Sequence, residues 1–431
     1  MRSPGVLFLL FLFSSPGAWG AGPILVDVDN TGQAVVFKDG SVTYNPETSN
    51  GDAAAGKLGR LSNAEALALV DELFKDWKNI TLNGTNTVSL NFTAGTGLGN
   101  VDEKNVNNHF AYCPPTSLCP DENSPFILGS ARSGQNPILF DEDGKITDLI
   151  QGQGSSNDIL GFAGPRVVQQ VGGTLYITEA QAVLNGKWID CPAGAAKNDP
   201  CRTPEEEIDA FKGAIFHELG HFLGLDHVDV NDRSALKAAG GDMSEASAIA
   251  TMYPLYIDGK EQLTPHYDDK VSASMLYPTV DFANAFCTIQ GKVFESNGTT
   301  ELQGVNVVAR NIENSLEETI TFVSGAFYKG SFTDCDAKQG DYYLKGIIPG
   351  KQYSLEIEKV NATFTGGSSV EPCDPPASGF DNQTISGTFS CAKAGEVVTG
   401  GSVTTTTIVT TKSSSKTPSD DEEGGGCSLI P

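Results

Sequence analysis

The sequence predicts an α+β domain followed by an all-β sandwich. The chain has 431 residues, roughly three times the length of a typical domain, which favours two folded units with tails. Amphipathic helix patterns and strand patterns are mixed up to Pro278. After Pro278 the helix patterns stop, and short β-like runs separated by Gly, Asn and Pro clusters continue to about Cys391. We therefore assign residues 35–280 to the first domain and residues 285–395 to the second.

The charge of the chain argues against nucleic acid as a partner. Lys and Arg total 28 while Asp and Glu total 54, so the net charge is −26. A surface of this sign repels phosphate and also disfavours binding to anionic membranes. Apolar residues make up 39% of the chain and charged residues 19%, a composition that is sufficient for folded cores.

Residues 1–20 have the pattern of a secretory signal peptide. A basic residue precedes the apolar run Val6–Phe13, and small residues follow it, with cleavage expected near Gly20 or Ala21. The apolar run is far shorter than the ~20 residues that span a bilayer, which disfavours a membrane anchor. The sequence therefore predicts a secreted, extracellular or cell-surface protein with a short N-terminal segment at 21–34.

The nine cysteines agree with export. Eight are spread over the folded regions, and an even number in an exported chain favours disulfide bonds. The first four would close two short local loops, and the next four allow three connectivities among which the sequence does not choose. The ninth lies in a Gly-rich tail and is either a free thiol or part of a sorting signal. In chain order they are Cys113 with Cys119, Cys191 with Cys201, then Cys287, Cys335, Cys373, Cys391 and finally Cys427.

Residues 63–78 are predicted to form the first helix. Ser62 and Glu65 have the spacing of a capping box. Apolar residues then follow at helical spacing, which predicts one buried face. These residues are Leu67, Val70, Phe74 and Trp77.

Strand patterns flank an insertion. Apolar and polar residues alternate around residues 88–92 and over residues 173–185, which predicts a strand in each place. An apolar pattern also resumes over residues 137–150. Residues 99–135 are polar and rich in Pro and Asn, so we predict that they form an insertion loop.

A second helix is predicted from about residue 203. Thr203 suits the N-cap, Pro204 suits the first helical position, and Glu206 completes a capping box. Gly224 is suited to end the helix in a left-handed turn. Between these ends, apolar residues recur at steps of three and four and predict one buried face. They are Ile208, Phe211, Ile215, Leu219 and Phe222.

The second helix carries histidines at a spacing that suits a metal ion. His217 and His221 are four residues apart, so they lie about 6 Å apart along the axis on one face. Gly224 lets the chain reverse, so that His227 returns as a third ligand and the fourth position is left to water, as at catalytic zinc. Glu218, beside the first ligand, suits a general base. The alternative is a buried helix that happens to carry histidines, but three of the chain's 5 histidines lie within this short stretch.

These residues carry a resemblance to a known family. The stretch His217–His227 matches H-E-x-x-H-x-x-G-x-x-H, and the chain therefore resembles the metzincin metalloproteases, in particular their matrixin branch. Met252, in Ala-Thr-Met-Tyr-Pro, resembles the methionine of the family's Met-turn, and Met275 is the competing candidate. Asp268 and Asp269 begin a segment that looks like the C-terminal helix of matrixins, which favours Met252.

The resemblance implies the fold and the activity. It implies a twisted, mostly parallel sheet with an antiparallel edge strand and an active-site helix, in an endopeptidase that uses one catalytic zinc ion. It implies that His217, His221 and His227 bind zinc and that Glu218 is the general base. It also makes the strand at about 173–180 the edge strand, with which a protein or peptide substrate would pair antiparallel.

Several departures from animal matrixins are expected. Outside the signature only His109 and His266 remain, so the structural zinc of those enzymes is expected to be absent. No cysteine-switch sequence precedes the first helix, so latency through a thiolate on zinc is not expected. Residues Val228–Ser247 are predicted to form an extra loop near the cleft. The pattern is more similar to a bacterial secreted matrixin-like protease.

A short acidic run suggests calcium. Asp141, Asp143 and Asp148 surround a turn at Gly144, and calcium prefers such oxygen ligands. The full 12-residue helix–loop–helix site is missing, and a solvated turn is the alternative interpretation.

The C-terminal domain resembles the carboxypeptidase regulatory-like, transthyretin-like sandwich, on the phrases Gly304–Ala309 and Pro349–Tyr353. The resemblance implies a spacer or a binding module. Residues 396–431 are rich in Thr, Ser and acidic residues and are predicted to be disordered. The tail is interpreted either as a site of cell-surface attachment or as an ordinary frayed end.

Two other functions are kept open. One is a surface binding or adhesion protein in which the protease-like domain is a scaffold, and the other is a zinc hydrolase that acts on a non-protein substrate. A long cleft with a free edge strand would favour a peptide, and a closed pocket would favour a small substrate. The expected oligomeric state is a monomer.

Overall fold

The computed structural model of the protein describes residues 22–27, 32–109, 134–189, 204–257, 260–326, 339–360, 377 and 379–405. The predicted signal peptide, the two predicted local disulfides and the chain after residue 405 lie outside the described residues. Within the described residues, no helix is both long enough and apolar enough to cross a membrane.

The N-terminal part, residues 22–285, combines helices with one large sheet. Its strands are β1 (Val36–Phe37), β2 (Ser41–Pro46), β3 (Thr81–Leu82), β4 (Thr85–Asn86), β5 (Asn91–Ala94), β6 (Pro137–Asp141), β7 (Gly161–Val171) and β8 (Thr174–Asn185). Its helices are α1 (Asn63–Lys78), α2 (Lys145–Gln151), α3 (Pro204–Phe222), α4 (Asp232–Ala239), α5 (Tyr267–Leu276) and α6 (Val280–Ala285). The two predicted helices are confirmed as α1 and α3. The predicted strand over 173–185 is confirmed as β8, and the strand predicted around 88–92 is displaced to β5.

The large sheet is mostly parallel, with one antiparallel strand. Its strands are ordered β5-β2-β6-β8-β7, and β1 pairs with the beginning of β8. All these pairs are parallel except that of β7 with β8. A two-residue turn at Gly172 and Gly173 joins β7 to β8, and both glycines have positive φ (63° and 94°), as tight hairpins require. The mixed α/β class with a mostly parallel sheet is confirmed.

The prediction that the strand at about 173–180 forms the edge of the sheet is wrong. β8 pairs with β7 on one side and with β1 and β6 on the other, so β8 lies inside the sheet and β7 forms the antiparallel edge. An apolar alternation predicts that a strand exists, but it does not reveal how many neighbours that strand has. β7 itself was not predicted, because Gly161, Gly164 and Pro165 interrupt its pattern.

Helix α1 fixes the position of α3 at the start of the histidine signature. The predicted capping box is present at its N-terminus: the Glu65 carboxylate accepts from the Ser62 N–H at 2.8 Å. At the other end, the buried Trp77 donates from Nε1 to the backbone oxygen of Phe216 at 3.0 Å. The Trp77 and Phe216 rings also stack at 4.6 Å. The residue that precedes His217 is therefore anchored to α1.

The segment Val228–Ser247, predicted to be a loop, contains regular structure. It holds α4, and a 3-10 helix over Met243–Ala248 begins within it. Asn231, just before α4, has the left-handed conformation with φ of 58°. Helix α4 has only 8 residues, and its apolar residues are one Leu and three Ala, so its pattern is too short to separate a helix from a loop.

The C-terminal part, residues 287–405, contains two sheets. Its strands are β9 (Cys287–Phe294), β10 (Val305–Asn311), β11 (Thr319–Val323), β12 (Asp341–Ile347), β13 (Tyr353–Lys359), β14 (Gln383–Phe389) and β15 (Val397–Thr404). One sheet is antiparallel, in the order β11-β10-β13-β14, and the other is ordered β12-β9-β15. Within the second sheet β15 runs parallel to β9, so the part is not purely antiparallel.

The prediction of a disordered segment from residue 396 is wrong for the first residues of that segment, because they form β15. The Thr-, Ser- and Gly-rich composition of this stretch carries little apolar signal. The strand exists because it pairs with β9, which lies more than a hundred residues earlier in the chain.

A disulfide joins the two ends of the C-terminal part, and a common core joins the two parts of the chain. Cys287 is bonded to Cys391 with their Cα atoms 6.6 Å apart. Of the three connectivities that the sequence allows, this bond selects the one in which Cys335 and Cys373 remain for each other. Both of these cysteines lie outside the described residues. One continuous cluster of buried apolar side chains extends from Ile24 in the N-terminal part to Val403 in the C-terminal part.

Candidate metal centre

The second and third histidines of the signature are brought together by the end of α3. The N–H of Leu225 donates to the oxygen of Gly220 at 3.0 Å, and the N–H of Gly224 donates to the oxygen of His221 at 2.9 Å. These are the two bonds of a Schellman motif, which places Gly224 in the left-handed region, with φ of 89°. The chain therefore reverses where the sequence predicts it to, and it returns His227 to the face of the helix.

The three histidines present one nitrogen each to a common point. Nε2 of His227 lies 3.1 Å from Nε2 of His221 and 3.2 Å from Nε2 of His217. Two nitrogens on one tetrahedral zinc ion would be about 3.3–3.4 Å apart, given a Zn–N distance of about 2.0–2.1 Å. Within the described residues, this is the group of three or more His, Cys, Asp or Glu side chains that could hold a metal ion.

Backbone oxygens orient two of the rings. Nδ1 of His217 lies 2.7 Å from the oxygen of Thr251, and Nδ1 of His221 lies 2.8 Å from the oxygen of Leu225. Because a carbonyl oxygen only accepts, each Nδ1 carries the proton and each Nε2 keeps its lone pair for a metal. Nδ1 of His227 is buried without a partner among the described residues, while its backbone N–H donates to the Asp226 carboxylate at 2.8 Å.

The electrostatics of the centre also favour neutral imidazoles. The three histidines are at most 1% exposed. Burial, and then the neighbouring His221, lowers the pKa of His217 well below its usual range. Burial likewise lowers the pKa of His221 to about 4. Neutral imidazole is the form that binds a metal, so this donor set fits a metal ion.

Glu218 is the second unusual group of the site. Its side chain is 1% exposed, and neither carboxylate oxygen has a hydrogen-bond partner among the described residues. Burial raises the pKa of this carboxyl well above its usual range. A Cβ atom on Gly161, the first residue of β7, would lie 2.9 Å from Cγ of Glu218, so the edge strand passes directly against this side chain. A buried carboxyl without a partner is available to exchange protons with a reacting group.

Met252 lies under the histidine helix. A Cβ atom on Gly220 of α3 would lie 2.4 Å from Sδ of Met252, so the thioether packs directly on the helix between His217 and His221. The turn around Met252 is held by Asp269, whose carboxylate accepts from the N–H of Met252 at 3.0 Å. Met275, the competing candidate, instead lines a separate cavity beside α6. The structure therefore places Met252 against the part of α3 that carries His217 and His221.

The three aspartates proposed for calcium have separate partners. Asp141 accepts from the N–H groups of Ile146 and Thr147 at 3.1 and 2.7 Å, near the start of α2. Asp143 forms an ion pair with Lys145, and Asp148 accepts from the N–H of Ser156 at 2.8 Å. The structure does not gather their carboxylates around one point among the described residues, and calcium binding stays a prediction.

Sequence reasoning missed the groups that orient the ligands. The oxygens of Thr251 and Leu225 belong to the backbone, and every residue carries such an oxygen, so no residue type reveals them. Gly161 was missed together with β7. Asp269 was noted only as part of a resemblance, although a carboxylate at the start of a helix is a signal for binding nearby N–H groups.

The comparisons with known proteins add no relative: no family model matches the chain, and no curated protein matches it either.

Proposed function

We propose that the protein is a secreted zinc-dependent endopeptidase of the metzincin type, similar to the matrixins. The observation that carries the proposal is the convergence of three neutral imidazole nitrogens beside a buried carboxylate that has no hydrogen-bond partner among the described residues. Three imidazoles that leave one position open are typical of catalytic zinc and not of structural zinc. The position of Met252 under α3 supports the same family.

The residues of the site have distinct roles in this proposal. His217, His221 and His227 hold the ion, and the oxygens of Thr251 and Leu225 keep two of the rings in the binding tautomer. Bound zinc supplies Lewis acidity, which makes water acidic near neutral pH and polarises a carbonyl group. Glu218 accepts the proton of the attacking water and returns it to the leaving nitrogen. Burial raises the pKa of this carboxyl well above its usual range, which makes the carboxylate a stronger base for the first transfer.

The edge strand favours a peptide as substrate. Within the described residues β7 pairs only with β8, and its first residue contacts Glu218. An extended peptide could therefore add to the outer edge of β7 and bring one of its peptide bonds to the centre. The near-complete burial of the four site side chains favours the second candidate, a zinc hydrolase with a small non-protein substrate.

The rest of the proposal follows the sequence. We propose that the C-terminal part is a β-sandwich of the carboxypeptidase regulatory-like kind and that the protein acts outside the cell as a monomer. A tail that attaches it to the cell surface, and a scaffold without catalysis, are kept as alternatives. The net charge of −26 supports protein rather than nucleic acid as the partner.

The test is cleavage of unfolded casein and of a mixed peptide library by the purified mature chain, with cut sites read by mass spectrometry. Glu218→Gln should keep zinc, measured as bound metal per chain, and should lose activity by about 10²–10⁴-fold, because the general base is removed. His109→Ala is the matched control, since it removes a histidine outside the centre and should change neither zinc content nor cleavage.

The outcomes separate the alternatives. Cutting that is abolished by a zinc chelator, restored by zinc and lost in Glu218→Gln supports the endopeptidase. Full activity of a zinc-loaded Glu218→Gln protein would contradict the mechanism. Hydrolysis of small esters or amides without any cut in casein or peptides would support the second candidate instead.

A further inference from the structure

We propose that the C-terminal β-part holds the segments around the metal centre in position. Thr321 and Asn306 are the positioning residues for the turn and the loop that orient the histidines. The inference rests on the proposed metal site, but not on peptide cleavage. It departs from the expectation of a spacer or a binding module. Two paths of buried contacts support it, and each leads from a strand of the C-terminal part to the segments around the ligands.

The first path of contacts leads from β11 through α5 to the ring of His217. Asp268 and Asp269 are adjacent on α5 and are both fully buried. The Asp268 carboxylate accepts from the N–H of Thr321 at 2.7 Å and from its Oγ1 hydroxyl at 2.6 Å. The Asp269 carboxylate accepts from the N–H of Thr251 at 2.8 Å. The oxygen of Thr251 in turn accepts from Nδ1 of His217 at 2.7 Å.

The second path of contacts leads from β10 to the loop that follows the third histidine. Nδ2 of Asn306, which is fully buried, donates to the backbone oxygen of Asp229 at 2.7 Å. Asp229 lies two residues after His227. Between them, the N–H of Val228 donates to the oxygen of Met252 at 2.9 Å. The C-terminal part is therefore bonded to both the loop after the third ligand and, through that loop, the Met-turn.

Asn231 adds a third tie in the same loop. Its Nδ2 donates to the oxygen of Leu316 at 2.9 Å, and its Oδ1 accepts from Nη1 of Arg310 at 2.6 Å. Both partners belong to the loop and strand of the C-terminal part. The left-handed conformation of Asn231 is thus fixed by side-chain contacts from the other part of the chain.

These contacts are unlike those of a tethered module. Interfaces between independent domains are usually modest and polar, and they permit relative motion. Here the apolar core is continuous between the two parts. Buried polar groups need their partners, so loss of one contact leaves another group desolvated and unsatisfied. The irregular segment from Gly224 to Asn231 is ordered from two sides. Residues 22–24 bond to its first half, at Gly224 and Asp226, and the C-terminal part bonds to its second half, at Asp229 and Asn231.

The test uses matched hydroxyl deletions in the full mature chain. Thr321→Val removes the hydroxyl that binds Asp268, and Thr321→Ser keeps it. Ser324→Ala is the control, because the buried hydroxyl of Ser324 donates to Leu302 at 2.7 Å, within the C-terminal part. Zinc affinity is measured by competition with a chromophoric chelator, the visible spectrum of the cobalt-substituted protein reports ligand geometry, and thermal unfolding reports stability.

We expect Thr321→Val to weaken zinc binding by about 10–100-fold, the range typical when groups that orient metal ligands are changed, and to alter the cobalt spectrum. Thr321→Ser should restore both, and Ser324→Ala should lose stability while zinc affinity and the spectrum stay as in the parent. Asn306→Ala, through the Asp229 contact, provides a second variant if Thr321→Val does not fold.

Unchanged zinc affinity in folded Thr321→Val or Asn306→Ala protein would overturn the inference. So would equal losses of affinity in these variants and in Ser324→Ala, since that result would indicate a general loss of stability. None of these readouts uses peptide cleavage. A protein that binds zinc but cuts nothing would therefore refute the endopeptidase without contradicting the positioning role of the C-terminal part.

Discussion

Gly220 provides the sharpest test of how the site is packed. In an exposed helix interior, Gly→Ala stabilises by about 1 kcal/mol, because alanine loses less conformational entropy on folding. At position 220, however, the added Cβ would lie 2.4 Å from Sδ of Met252 and 3.0 Å from Cζ2 of Trp77. Ordinary carbon contacts lie at about 3.5–4.0 Å, so at least one of these side chains would have to move.

Neither neighbour can move freely. Trp77 is held by its bond to the oxygen of Phe216, and the backbone of Met252 is held by Asp269. Overpacking of this kind costs about 1–3 kcal/mol, and the close approach places Gly220→Ala toward the upper end of that range. After the helical gain of about 1 kcal/mol is subtracted, we expect a net loss of about 1–2 kcal/mol in the free energy of unfolding.

A double-mutant cycle with Met252→Ala isolates the contact. Met252→Ala alone should cost about 2–5 kcal/mol, as truncation of a buried methionine does. In that background the contact with Sδ is gone and the 3.0 Å approach to Trp77 remains, so Gly220→Ala should lie between neutral and stabilising by about 1 kcal/mol, which gives a coupling energy of about 1–3 kcal/mol. Urea unfolding of the four proteins at one zinc concentration measures it. Equal effects of Gly220→Ala in the two backgrounds would refute the packing of Met252 under α3.

Three further predictions concern stability. Burial lowers the pKa of His266 to about 4, whereas an unfolded histidine has a pKa of about 6.5. Between these two pH values the unfolded chain binds a proton that the folded chain does not. The free energy of unfolding therefore falls as the pH falls through this window. His266→Asn should therefore reduce the proton uptake on unfolding in that window by about one, measured from the urea midpoint against pH, and an unchanged slope would contradict the assignment. Replacing Cys287 and Cys391 together by serine should cost about 4–5 kcal/mol, since the bond closes a loop with a sequence separation of 104 residues; a loss below about 1 kcal/mol would show that the loop is already restrained in the unfolded chain. Ser62→Ala should lower the free energy of unfolding by about 1 kcal/mol through loss of the α1 cap, whereas Ser62→Thr, which keeps a capping hydroxyl, should lose much less.

The features that the sequence predicts correctly are those fixed by neighbours within about ten residues. The capping box at Ser62 and the apolar spacing that follows it are sufficient to place α1. The same holds for the reversal at Gly224, because a left-handed residue at a helix end is a local requirement. The spacing of His217 and His221 belongs to this class, since one helical turn brings both rings to one face.

The features that the sequence did not predict depend on distant partners. β7 lacks an uninterrupted strand pattern and exists as the partner of β8, and β15 exists as the partner of β9. No local signal distinguishes such strands from loops, because pairing energy comes from the other strand and not from propensity. The misplaced edge of the sheet has the same origin, since the order of strands is a property of the whole chain.

The candidate metal centre combines both classes, because its three histidines are close in sequence and the groups that orient them are not. Local spacing decides which side chains can reach one ion. The tautomers of the rings, however, are decided by the oxygens of Thr251 and Leu225, and the position of Thr251 depends on Asp269 in α5. Each such contact reduces the freedom that the ligands must lose on binding an ion, so affinity grows with the order already present in the folded chain. A signature of eleven residues therefore specifies which side chains can reach one metal ion, while contacts such as those of Trp77 and Asp269 position the segments that carry these side chains.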